Sequence, residues 1–249
     1  KIIMMHPQFD VSGGAERKLL LIYHALKKEY DIKIITFIVD KKKCFPELAK
    51  NIKFIEVGYG KNIFSKILSL FRMAKMGKET DIIHASNFPS NIAAVISKKR
   101  YGPKVMWFCN EPMLHLEGTK RRENKYRLKL MQIIEKIFSK RIDLIIANSE
   151  FTKNMIKKTM SLDSELIYSG VDTDYYKRKD IEKKDNSVFF ISRIEKEKNV
   201  DFLLELAQEM NEAEFIIGGD GTYMAELKKK APKNVKFLGR ISEEEKRGW

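Results

Sequence analysis

Apolar residues in this chain come in short unbroken blocks separated by longer stretches of mixed character. The blocks are Ile2 to Met5, Ile32 to Val39, Ile52 to Val57, Asp81 to Ala85, Lys104 to Cys109, Leu144 to Ala147 and Leu166 to Ser169. Blocks of that length without alternation fit strands buried on both faces of a parallel sheet. The first is expected to end at Pro7. The stretches between them carry helical spacing: Leu19, Leu20, Ile22, Tyr23 and Leu26 share one face behind Ser12, which is placed to cap that helix. Residues 63–76, 119–141 and those from Glu150 onward read the same way. Strand and helix in alternation predict a doubly wound α/β domain over residues 1–176. A charged, apolar-poor linker follows over 177–187. The pattern then resumes over 188–249, with strands at Val188 to Ile191, Glu214 to Ile217 and Val235 to Leu238 and helices at Val200 to Met210 and Thr222 to Lys230. Three strands make that second Rossmann-like domain incomplete.

Composition narrows the class. The 249 residues suffice for two modest α/β domains with buried cores. No apolar run approaches a membrane span, and KIIMMHPQF lacks the regions of a signal peptide. Cys44 and Cys109 lie in unrelated contexts, so free thiols in a reducing, cytoplasmic setting are expected. The net charge of +14 asks for an acidic partner (nucleic acid, a nucleotide sugar or an anionic membrane surface) or is in part a solvated lysine coat of the kind that accompanies high growth temperature. Zinc-finger spacing, aromatic RNA-binding patterns and helix-turn-helix signals are missing from the sequence, which argues against nucleic acid.

Several positions carry candidate chemistry. The strand at Val188 to Ile191 delivers Arg193 at its carboxyl end, and Lys198 follows at the start of a helix. Ligands of open α/β sheets bind outside the carboxyl ends of the strands, and two cations beside a helix N-terminus suit a pyrophosphate. Taken alone, the pair reads first as solvated surface charge. Paired glycines recur at Gly13-Gly14 and in Gly218-Gly219-Asp220-Gly221. At Gly13-Gly14 they permit either close approach of backbone to a ligand or a tight strand-to-helix turn. The spacing is that of neither a dinucleotide fingerprint nor a Walker loop. His84 is placed at a strand tip, as a polar wall or a site residue. Asn110 and Glu111 follow another strand; Glu111 could meet sugar hydroxyls or cap the turn, and His115 is a weaker candidate. The start of the 119–141 helix gathers Lys120, Arg121, Arg122, Lys125, Arg127 and Lys129. It reads as an amphipathic helix packed on the sheet or as a basic surface for anionic lipid. Asp172-Thr173-Asp174 imitates a metal-gripping DxD, but turn chemistry explains it and no metal site is expected.

These motifs together resemble glycosyltransferase family 4, the retaining group built on two Rossmann-like domains and called GT-B. SRIEKEKNVDFLLELAQEM is similar to its R-x(4)-K strand–loop–helix, FIIGGDGTYMAELKKKAPKNVKFLGRIS to its next β-α-β unit, FDVSGGAERKLLLIYHAL to its N-terminal Gly-Gly loop, and IIANSEFTKNMIKKTM with IYSGVDTDYY to its end-of-domain signature. The likeness covers nearly the whole chain. It implies a nucleotide-sugar donor between the domains, a glycan or lipid-linked acceptor, and no metal or other cofactor. Arg193 and Lys198 would then neutralise the departing diphosphate, Gly13, Gly14, Gly219 and Gly221 would face the donor, and His84 would line the acceptor side. Where many relatives carry a histidine that contacts the donor sugar, this chain has Asn110, whose amide can still hydrogen-bond a hydroxyl. No general base stands out, which suits a front-face reaction in which the leaving phosphate takes the acceptor's proton.

Two expectations run against that reading. The family's E-x(7)-E, whose carboxylate holds the donor ribose, has no counterpart here, and EEEKRGW reads as a break in the pattern. A chain cut short there would transfer no sugar by itself. It would leave Phe189, Ile191, Phe215 and Ile217 partly uncovered, with residues after about Lys184 the first to unfold. The rival function is a catalytically inactive module that binds phospho-ligands, membranes or a partner; an epimerase of the same fold would need carboxylates that cannot be placed.

Overall fold

A computed structural model describes residues 1–112, 125–174, 176 and 185–249, with the backbone alone at Lys125. The chain divides into two compact units, Lys1–Gly170 and Val171–Trp249.

The first unit alternates strand and helix throughout: β1 (Ile2–Phe9), α1 (Gly14–Leu26), β2 (Ile32–Val39), α2 (Pro46–Ala49), β3 (Phe54–Glu56), α3 (Ile63–Lys75), β4 (Ile82–Ser86), α4 (Ser90–Tyr101), β5 (Lys104–Cys109), α5 (Lys125–Ser139), β6 (Leu144–Ala147), α6 (Glu150–Met160) and β7 (Glu165–Leu166). Its seven strands are all parallel, in the order β3-β2-β1-β4-β5-β6-β7. One core, around Phe9, Leu19, Leu20 and Ile34, seats α1 on the sheet, while another joins Met73, Ala93, Ala94, Trp107 and Ile156 beneath α3, α4 and α6. The second unit holds β8 (Ser187–Ile191), α7 (Asp201–Glu209), β9 (Glu214–Gly218), α8 (Met224–Lys230), β10 (Val235–Gly239) and α9 (Glu243–Arg247). Its parallel sheet runs β10-β9-β8.

Several local expectations are corrected. β1 runs through Pro7 to Phe9, because beyond Met5 it pairs only with β2, and a strand free on one side tolerates a missing N–H there. Ser12 does not cap α1: Gly13 holds that position without a side-chain bond, and the Ser12 hydroxyl instead donates to the Lys43 carbonyl at 2.7 Å. α4 gave no periodic signal because it is buried on most sides, Ser90 to Val95 and Ser97 included. Residues 243–247, where the family pattern is expected to break, are helical, started by a capping box between Ser242 and Glu245.

The expected uncovered patch in the second unit is also wrong in its geometry. Register pairs Val188 with Phe215 and Phe190 with Ile217, so Phe215 and Ile217 share a face with those residues, not with Phe189 and Ile191. Phe215 and Ile217 are buried within the apolar clusters formed with α7 and α8 residues. On the opposite face, Phe189 stacks on Trp249 at 5.3 Å, and Ile191 stays partly exposed.

Candidate functional site

In the first unit the chain winds outward from β1 through β2 and β3, then returns to lay β4 beside β1 and continues the other way. The reversal places a crevice at the carboxyl ends of β1 and β4, where open α/β sheets bind ligands. The loop from β1 into α1 and the residues just past β4 and β5 all arrive there.

Polar side chains concentrate at this edge. His6, fully buried on β1, has Glu16 Oε1 2.8 Å from Nε2 and the Ser86 carbonyl 3.2 Å from Nδ1. Glu16 lies in the first turn of α1, and a Cβ built on Gly13 would overlap its carboxylate. The pair thus ties the Gly13-Gly14 turn to the ends of both strands. Among the described residues, nothing lies within 4 Å of where a Cβ on Gly14 would stand. Lys18, one turn on, donates to Asn110 Oδ1 and holds its ammonium 3.4 Å from the centroid of the Phe108 ring. Burial pulls its pKa down to about 8.

The sequence-predicted residues of this unit fall into distinct places. Asn110 comes to the crevice but is fully engaged: besides accepting from Lys18, its amide donates to Asn87 Oδ1 at 2.7 Å, and its carbonyl accepts from Asn148 at 3.3 Å. Glu111 is exposed beside it. His84 is not at a tip: β4 continues to Ser86, and His84 sits mid-strand, 2% exposed, with neither ring nitrogen hydrogen-bonded among the described residues. Burial first, then the nearby Lys18 and His6, lowers its pKa to about 4. His115 and the basic residues Lys120, Arg121 and Arg122 lie outside the described residues, as does the Lys125 side chain.

The second unit presents a different kind of edge. Past β8, the 192–195 loop is stitched to the 218–223 loop. Ser192 N–H donates to the Gly218 carbonyl at 3.2 Å, Ile194 N–H to that of Asp220 at 3.0 Å, and Tyr223 N–H to that of Ile194 at 3.1 Å. The Glu195 carboxylate accepts from the Thr222 hydroxyl at 2.6 Å. Gly219 has φ +122°, and a Cβ on it would overlap the Ser192 carbonyl oxygen; one on Gly221 would overlap that of Ile194. These glycines let two backbones touch. The stitched loop exposes Arg193, and Lys198 ends a 3-10 turn (Lys196–Lys198) that precedes α7 rather than starting it. Among the described residues neither cation is tied to a carboxylate. Ile194, buried between them in sequence, anchors the loop that carries both.

His6, Glu16 and Lys18 are the site residues that the motif reading passed over. Their signal was present but spread out: a histidine directly after the first apolar block, and an acid and a base just after the paired glycines.

Comparison with known proteins places both units. The family profile described as Glycosyltransferase Family 4 matches residues 12–175, and that described as Glycosyl transferases group 1 matches residues 172–247. The alpha-1,3/1,6-mannosyltransferase ALG2 of Debaryomyces hansenii is 26% identical over 97% of this chain and 53% of its own length. A Campylobacter jejuni alpha-1,4-N-acetyl-D-galactosaminyltransferase, named for a diNAcBac-PP-undecaprenol glycan, is 26% identical over 92% of this chain and 65% of its own. The chain therefore spans about half to two thirds of these relatives. Among solved structures, Anabaena Alr3699/HepE in complex with UDP and glucose superposes with a TM-score of 0.74 at 18% identity, over 97% of this chain and 70% of that one. Sucrose-phosphate synthase from Thermosynechococcus elongatus reaches 0.80 at 12% identity, over 99% and 72%. At such identities these structures establish the fold alone.

Proposed function

The chain belongs to glycosyltransferase family 4, and from that premise we propose that it serves transfer of a sugar from a nucleotide-diphosphate donor to a glycan or lipid-linked acceptor, with retention of configuration. The observation that carries this reading is the pair of exposed cations, Arg193 on a loop fixed to its neighbour by three backbone hydrogen bonds and Lys198 at the end of the short turn that follows it. Charge grows on the diphosphate as the glycosidic bond breaks, so cations held in place beforehand stabilise the transition state more than the ground state. Arg193 offers a planar fork to two phosphate oxygens and Lys198 a point charge. Together they fill the role a divalent metal fills elsewhere, and the reaction needs no metal.

The first unit takes the acceptor side of this scheme. The Gly14 backbone is open to approach, and His6 with Glu16 holds the turn that carries it. The UDP complexes among the structural neighbours support a nucleotide sugar as donor, and the polyprenyl diphosphate in the Campylobacter relative's name supports a lipid-linked acceptor.

The test is made on the full gene product. It is incubated with a panel of uridine- and guanosine-diphosphate sugars and a short-chain polyprenyl-diphosphate glycan. Formation of one glycoside whose anomeric proton matches the donor's is expected. An inverted product overturns the retaining assignment, and no transfer from any donor in the panel overturns the activity.

A further inference from the structure

We propose that the outer surfaces of α3 and α5 form one docking face for an anionic lipid bilayer. α3 is amphipathic in an unusual sense. Its sheet-facing side buries Ser69, Met73 and Ala74, yet its outer side is also apolar. Ile63, Phe64, Ile67, Leu68 and Phe71 are all exposed, Phe64 to 76%. An ordinary surface helix puts charge and hydroxyls there. α5 repeats the arrangement: Tyr126, Leu130, Ile133 and Ile137 are exposed at helical spacing and form a single stripe. The buried α4 lies between them, in contact with both, so the two stripes belong to one layer of the molecule. Scattered exposed apolar residues need no explanation, but nine on the two helices that flank α4 mark an interaction surface.

Charge selects the occupant. α3 contains no Asp or Glu, and the one acid of α5, Glu135, is fully buried. Lys66, Arg72 and Lys75 flank the first stripe, and Arg127 and Lys129 the second. Aliphatic and aromatic side chains rimmed by cations, with no exposed acid on either helix, suit insertion at the headgroup level of an anionic bilayer. A protein partner or a second copy of the chain is the competing occupant. The face shares Arg127 and Lys129 with the basic segment that the sequence suggested and adds α3: the apolar stripes do the inserting and the flanking cations draw the surface in.

The inference leans on the proposed lipid-linked acceptor only for its biological motive, since vesicle binding needs no turnover. Co-sedimentation is measured with vesicles of phosphatidylglycerol and phosphatidylcholine and with phosphatidylcholine alone. The wild-type chain is expected on the anionic vesicles and not on the neutral ones. Phe64→Glu with Leu130→Glu, both at exposed positions, should lower binding by about tenfold or more with an unchanged far-ultraviolet dichroism spectrum. Lys75→Gln and Lys129→Gln should each lower it roughly fivefold at low salt. Equal binding to neutral vesicles, or anionic binding that survives the double glutamate variant, overturns the proposal. So does a wild-type dimer that the double variant splits while vesicle binding stays unchanged, which assigns the face to self-association. Transfer to a water-soluble acceptor separates the two readings: if it persists where vesicle binding fails, the docking face alone is refuted.

Discussion

Two glycine-bearing turns follow the first strand of one unit and the second strand of the other, and they look alike as letters. At Gly13-Gly14 the backbone dihedrals of the helix cap are ordinary, and among the described residues no side chain caps the helix and nothing fills the space beside Gly14. At Gly218 to Gly221 the space is full: the Ser192 and Ile194 carbonyls occupy the places where side chains of Gly219 and Gly221 would go. The first turn leaves room for something else to approach, and the second lacks side chains so that the protein can pack on itself. The charged groups divide in the same way. Lys18, Asn110, His6 and Glu16 in the first unit are engaged with one another, whereas Arg193 and Lys198 stand on the packed loop with their charges unpaired among the described residues. In the proposed reaction, the packed loop of the second unit presents the cations and the open turn of the first admits a ligand.

The largest effect expected is on folding. Gly219→Ala places a Cβ against a backbone carbonyl at φ +122°, combining backbone strain with overpacking, and should destabilise the second unit by on the order of 4 kcal/mol. Each unit has its own tryptophan, Trp107 in the first and Trp249 in the second. Urea unfolding followed in a Trp107→Phe background therefore reports the second unit alone. A variant that unfolds at the wild-type midpoint would remove the contrast between the two turns.

Next come the cations. Arg193→Ala and Lys198→Ala should each cost about 3 kcal/mol of transition-state stabilisation, roughly a hundredfold in turnover, with folding stability unchanged because both side chains are exposed. Arg193→Lys should recover only part of this, since an ammonium lacks the bidentate fork.

The buried bases of the first unit should make its stability depend on pH in two windows. Lys18 and His84 both have depressed pKa values, so the unfolded chain binds a proton before the folded one as pH falls. Stability should therefore drop from pH 10.5 to about 8 through Lys18, and again from pH 6.5 to about 4 through His84. Denaturant titrations of His84→Leu should lose the contribution of the lower window and keep the upper one. An unchanged acid limb would show that His84 is not the group responsible.

Gly14→Ala should change stability least, by less than about 0.5 kcal/mol, because alanine meets nothing there and suits a helix start. Its expected effect is on turnover, through the approach it blocks. A large loss of stability would show that the turn is packed like its counterpart in the second unit.

The strand blocks were legible because burial on both faces leaves continuous apolar runs: β2, β5 and β6 fall on the residues the pattern named. α4 was not, since burial all round erases the helical period. The position of Arg193 followed from the strand before it. The pairing of His6 with Glu16 depended on α1 turning its first acid back toward β1, a contact between two elements that neither one's pattern contains. The faces of Phe189 and Phe215 required the register between β8 and β9, information no single strand contains.

The central claim is that Arg193 and Lys198 stabilise the departing diphosphate without a metal. The most direct measurement is the initial rate of sugar transfer at saturating donor, with a strong chelator present, for wild type and Arg193→Ala in the full gene product. The account predicts a wild-type rate indifferent to the chelator and a variant about a hundredfold slower at nearly unchanged donor KM. A wild-type rate abolished by the chelator, or a variant with near-normal turnover, would contradict it.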